Sequence, residues 1–110
     1  MNPQPSFTTP LEAIQFIRDC LAQATPKQLY AAFVEQPSDF WRERLFEHLR
    51  QIETEATLEK VFLQDGQISS FPEDETSLYL GGHGPFTHYL DIKLVQVGEG
   101  WVLESIHMCR

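Results

Sequence analysis

Apolar residues at Leu11, Ile14, Ile17, Leu21 and Ala24 recur at the spacing of one helical face, and Phe16 and Cys20 widen that face. Thr9-Pro10-Leu11-Glu12 stands at its head. Thr9 can cap the N3 amide, Glu12 can reach back to the Thr9 amide, and Pro10 sits at N1, where no donor is missed. A first helix is therefore expected from Thr9 to about Ala24. The same grammar returns at Thr25-Pro26-Lys27-Gln28, predicting a second helix with Leu29, Tyr30, Ala32, Phe33 and Val34 as its apolar residues and Pro37 as its stop. The two starts do not make a repeat, because the sequences between them do not otherwise align. Ser38 can cap a third helix with Trp41, Leu45, Leu49 and Ile52 on one face. Arg42, Glu43, Glu47, Arg50 and Glu53 form its solvated side, and His48 is expected to be exposed beside them.

After about Thr54 the texture becomes that of strands. Leu58, Val61, Phe62 and Leu63 predict a strand over 56–64, and Asp65-Gly66 reads as a type I′ turn into a partner strand carrying Ile68 and Phe71. Pro72 to Glu75 reads as an acidic loop, Ser77 to Leu80 as a third strand, and Gly81-Gly82-His83-Gly84-Pro85 as a wide turn using positive φ. His88 to Val97 alternates, and Gly98-Glu99-Gly100 turns it into a closing strand from Trp101 to Met108. Helices first and an antiparallel meander afterwards indicate an α+β fold: three N-terminal helices packed on a curved antiparallel sheet of about four to five strands. Residues 1–8 are expected to be an unstructured lead-in to a single domain over 9–110.

Composition narrows the partners. The 110 residues include 42% hydrophobic and 12% aromatic residues, enough apolar surface for one core without metals or disulfides. A formal charge of −8, from 16 acidic and 8 basic residues, with no basic run, argues against nucleic acid as a partner. The same charge argues against an anionic membrane surface. Cys20 and Cys109 read as reduced cysteines of a cytoplasmic protein, although a bridge between them is open. The opening residues show neither a basic n-region nor an apolar h-region.

Candidate chemistry collects on the last hairpin. With a three-residue loop, Val97 would stand opposite Trp101. One face would then carry Leu90, Ile92, Leu94, Val102, Ile106 and Met108, together with Gln96 and Glu104. The other would carry Val97, Trp101, Val95 and Leu103, then Lys93, Ser105, Asp91, His107 and Tyr89. Asp91 would face His107, and a carboxylate beside an imidazole raises its pKa and fixes its tautomer, as a general base requires. The plainer alternative is a solvated strand face. A two-residue loop would break this pairing. Gly81 to Pro85 matches no phosphate-binding pattern, although its amides and His83 could meet an anion. His83, His88, His107 and Cys109 lack zinc-ligand spacing, so no metal or other cofactor is expected. Neither cysteine has a basic setting, and no Gly-x-Ser-x-Gly elbow exists. Phe40 and Trp41 read as core, with either able to cap a pocket mouth.

The closing hairpin carries Gly100, Trp101, Leu103 and Ile106, and resembles the Gly-Trp-x-Ile/Leu-x-x-Ile ending of nuclear transport factor 2-like proteins, of the cystatin-like α+β superfamily. The motif covers about the last 20 residues, and element order carries the rest of the likeness. The chain departs from the pattern in being short and in lacking the strand that usually falls between the second and third helices. The resemblance implies a curved sheet around helices, a cone-shaped pocket and frequent dimerisation through the sheet. It includes isomerase-like and dehydratase enzymes alongside many non-catalytic binders, so it implies no single activity.

Three functions follow as expectations. The first is a non-catalytic binding domain, a homodimer, for a small apolar ligand or a partner protein, with Trp41, Tyr89, Lys93, Trp101 and Ser105 as candidate ligand-binding residues. The second is a pocket enzyme moving a proton through Asp91 and His107. The third is an acidic adaptor or inhibitor docking a basic partner. No catalytic constellation rises above background, which favours the first.

Overall fold

The computed structural model describes residues 5–64, 67–71, 74–83 and 89–109, with side-chain surroundings for 5–63, 76–82 and 90–107. It is an α+β fold in which helices come first and an antiparallel sheet follows. The helices are α1 (Pro10–Ala22), α2 (Pro26–Ala31) and α3 (Asp39–Glu55), followed by a π-helical segment, Lys60–Gln64. The strands are β1 (Gln67–Phe71), β2 (Asp74–His83), β3 (Tyr89–Val97) and β4 (Gly100–Cys109), ordered β1-β2-β3-β4.

The start of α1 follows from its sequence. The Thr9 hydroxyl oxygen accepts from the Glu12 amide at 3.3 Å, and the Glu12 carboxylate reaches back to the Thr8 amide at 2.8 Å, one residue earlier than a capping box would place it. Ala24 takes φ 53° after α1, and the Thr25 amide closes onto the Cys20 carbonyl at 3.0 Å. This is a helix C-cap made without glycine. Thr25 makes no side-chain cap for α2 and instead donates its hydroxyl to the Cys20 carbonyl. The second helix also stops at Ala31 rather than continuing toward Pro37.

That early stop has a tertiary cause. The Val34 and Glu35 amides donate to the Leu103 and Glu104 carbonyls at 3.0 and 2.7 Å, so the chain leaves the helix to run along the outer edge of β4. Phe7 does the same at the strand's beginning, exchanging both backbone bonds with Trp101 at 2.6 and 2.7 Å. The expected lead-in is thus held in place at Phe7. Both contacts cover part of an edge strand that would otherwise present unpaired backbone groups.

The expected strand over 56–64 is helical from Leu58 onward. Leu58, Val61 and Phe62 stand at i, i+3 and i+4, and all three are buried, so the run has helical rather than alternating periodicity. Thr57, at φ 67°, marks the break from α3. Asp65-Gly66 lies outside the described residues, but it joins a helical segment to β1 instead of two strands. Asp74 and Glu75 belong to β2, not to a loop, and so do Gly81, Gly82 and His83. Gly84 and Pro85 lie outside the described residues.

One core joins the two layers. Ile14, Ile17, Leu29, Leu49, Ile52, Phe62, Leu80, Leu90, Ile92, Leu94 and Leu103 are fully or almost fully enclosed between helices and sheet. Leu11, placed on the buried face by its spacing, is exposed, and His48 is half-buried rather than exposed. Arg18 of α1 donates its Nε to Glu53 of α3 at 2.8 Å, and Glu53 also accepts the Leu58 amide at 2.9 Å. That single carboxylate links α1, the end of α3 and the turn toward the π-helical segment.

Candidate functional site

The closing hairpin positions the site, by a different route from the expected one. Its turn has two residues, Gly98 and Glu99, because Val97 pairs with Gly100. Gly98 supplies the φ of 65° that the turn needs. A β-bulge then falls between Lys93/Leu94 and their partners: Leu94 pairs with Leu103, Lys93 with Ser105, and Glu104 is the extra residue. The bulge restores the register that the shorter turn shifts, so Asp91 pairs with His107.

It also changes which residues share a face. Leu103 lies on the core side opposite Leu94. Trp101, opposite Gln96, packs partly buried against the core beside the backbone of Phe7 and is separate from Asp91 and His107. Lys93, Ser105, Asp91 and His107 stay on the opposite face, and Tyr89 shares their register through its pairing with His83 and Cys109. Lys93 is held by Glu104 at 2.8 Å and lies over the Tyr79 ring, so its charge is engaged within the sheet.

Beyond the bulge the edge of β4 is open. Trp101 turns its N–H and C=O outward to Phe7, and the outward carbonyls of Leu103 and Glu104 accept Val34 and Glu35. Alternation along an antiparallel strand makes Ile106 the next outward residue, because Ser105 and His107 bond toward β3. No described residue pairs with the outward backbone groups of Ile106. Here the chain veers from Glu35 into α3 and leaves a cleft of about 450 Å³, lined by Pro37, Trp41, Leu45, Ser105, Ile106 and His107, with Glu35 at one end.

The cleft brings together three of the nominated residues: Trp41, Ser105 and His107. Trp41 is not core, being 41% exposed, and its neighbour Phe40 is 61% exposed. The two rings meet edge to face, 5.2 Å between centroids, and the Arg44 guanidinium covers Phe40 at 4.1 Å. Sequence reasoning missed Leu45 and Ile106 as site residues. Their spacing marked them as core, and they are core residues that also form the cleft's floor. A second cavity, about 470 Å³, lies between α2 and α3 beside Tyr30, Arg42 and Phe46. The Arg42 side chain there is already engaged with the Pro37 carbonyl, Gln36 and Asp39.

Asp91 sits beside His107, but their side chains make no hydrogen bond to each other, and Asp91 Oδ1 is buried with no hydrogen-bond partner among the described residues. Burial pushes the Asp91 carboxyl above the usual carboxylate range, and His107 partly opposes this. A raised folded-state pKa favours folding of the protonated form. Its contribution is complete below the unfolded value of about 3.9 and is lost as pH rises through the folded value. Asp91→Asn should therefore raise the melting temperature at pH 7, and the gain should close as pH falls below about 4. Thermal melts of both proteins from pH 3 to 8 check this, and a gap of constant size would remove Asp91 ionisation as its cause.

Among the described residues, no group of three or more His, Cys, Asp or Glu side chains could hold a metal ion; His88 lies outside them, and Cys20 is a buried free thiol. No described helix is long and apolar enough to cross a membrane. No family model, curated protein or solved structure matches the chain.

Proposed function

We propose that this chain is a non-catalytic protein-binding domain whose site is the cleft at the open end of β4, where an extended segment of a partner continues the edge. One observation carries the reading. The chain itself pairs along the outer edge of β4 at Trp101, Leu103 and Glu104, then departs at Ile106, where the cleft opens. An added strand gains main-chain hydrogen bonds there, and side-chain pockets set its specificity. Trp41, half-exposed above Leu45, is the kind of aromatic anchor that dominates such contacts. Asp91 and His107 give less support to proton transfer, because no carboxylate hydrogen bond fixes the His107 tautomer. The likeness of the closing hairpin to nuclear transport factor 2-like proteins, many of them binders, is consistent with this role.

Selection of random displayed peptides on the immobilised 110-residue chain tests the reading. Enriched peptides should lose about tenfold or more in affinity on Trp41→Ala, the size of a modest aromatic hot spot. They should also slow hydrogen exchange at the Ile106 amide. Peptides that bind without either effect would place the site elsewhere.

A further inference from the structure

We infer that the segment taken by the β4 cleft is basic: one apolar residue seated against Trp41 and Leu45, flanked by lysine or arginine reaching Glu35. This rests on the reading of the cleft given above and adds the chemistry of its occupant.

The apolar position follows from strand geometry. A residue bonded to the outward N–H and C=O of Ile106 projects its side chain to the same face as Ile106, because directly opposed residues share a face. Ile106 is a core residue at 4% exposure, and Leu45 and Trp41 of α3 line the cleft on that side. The residues before and after project to the opposite face, beside Ser105 and the exposed His107.

The charge follows from what lines the cleft and from where the chain's cations are committed. The cleft lining includes Glu35 but no lysine or arginine. Glu35 is exposed and has no ion-pair partner among the described residues, and the neighbouring Glu104 is already held by Lys93. Arg18 is bound to Glu53 and Glu59, Arg42 to Asp39, and Arg50 to Glu47, while Arg44 covers Phe40. The chain therefore has an uncompensated carboxylate at the mouth of a partly desolvated cleft, within a formal charge of −8. An acidic segment would be repelled there, whereas a basic one gains both the local pair and long-range steering.

The test selects random displayed peptides on the immobilised full chain, counter-selects them on Trp41→Ala, and measures the survivors on Glu35→Lys. Trp41 is substantially exposed, so Trp41→Ala should fold; its circular dichroism is checked against the parent, and Trp41→Phe serves as a second variant. Survivors carrying an apolar residue flanked by Lys or Arg are expected to weaken about fivefold or more on Glu35→Lys, and to weaken further as salt rises. Survivors with acidic or uncharged flanks, indifferent to Glu35→Lys, would overturn the basic occupant while leaving the cleft reading intact. An absence of Trp41-dependent peptides would overturn both. Trp41-dependent self-association in sedimentation would make a second copy the occupant and overturn the basic-segment inference.

Discussion

Replacing Phe62 by alanine should lower the free energy of unfolding by about 3–5 kcal/mol, the cost of removing a buried phenyl ring and leaving a cavity. Phe62 is fully buried within the π-helical segment and is among the largest enclosed side chains of the core. A domain of this kind has roughly 5–15 kcal/mol in total, so the variant should be close to its unfolding threshold at physiological temperature. Urea denaturation gives the number, read from the midpoint shift at an unchanged m-value. Leu63→Ala makes the informative comparison. On a strand, Val61 and Leu63 would share a face, and Phe62 would point the other way. In the helical arrangement Leu58, Val61 and Phe62 are inward, while Leu63 is only partly buried. A large loss at Phe62 with a much smaller one at Leu63 fits the helical packing. Equal, small losses at both would mean that this segment does not close the core.

That segment also shows why part of the fold was hidden in the sequence. Leu58, Val61, Phe62 and Leu63 form a short apolar cluster, which fits either a strand or one helical turn, and Asp65-Gly66 beside it favoured a hairpin. Periodicity over so few residues could not choose. The opposite holds for α1, where Thr9, Pro10 and Glu12 act within one turn and need nothing from the rest of the chain. The ends of α1 and α3 carried no local mark, since Ala24 and Thr57 take the left-handed conformation usually signalled by glycine. The length of α2 was not a local matter either. Val34 and Glu35 are drawn away by carbonyls about seventy residues further along.

The site was legible residue by residue but not as a place. Alternation put Asp91, Lys93, Ser105 and His107 on one face, where they lie. The pairing of Asp91 with His107 arose from two departures that cancel, a turn one residue shorter and a bulge of one residue at Glu104. Bulges have no dependable sequence signature, which is why Trp101 and Leu103 fell on the wrong face. Trp41 was correctly aligned with Leu45, Leu49 and Ile52, yet it lies at the first turn of α3, beside the outer edge of β4. Its helical phase is legible in sequence. Whether anything covers it depends on where the sheet ends.

Gly82→Ala should cost about 1–3 kcal/mol, although alanine in place of glycine normally favours a strand by up to roughly 1 kcal/mol. Gly82 was expected in a wide turn for its positive φ, but it lies within β2, paired with Leu90. Its need is for space. A Cβ built there would stand 2.7 Å from the Val61 carbonyl oxygen and 2.9 Å from Val61 Cγ1, both inside normal contact. The carbonyl is backbone, held in the π-helical segment, so it cannot swing aside as a flexible side chain would. The strand or the segment must move, loosening the contact through which Phe62 and Leu58 reach the core. Val61→Ala removes the methyl part of the clash and leaves the carbonyl part. In the double variant Gly82→Ala/Val61→Ala, the penalty of the alanine at 82 should therefore shrink but not vanish, a coupling that a double-mutant cycle in urea resolves. Full relief would assign the constraint to the Val61 side chain, and a neutral or stabilising Gly82→Ala would show that β2 and the π-helical segment do not approach this closely.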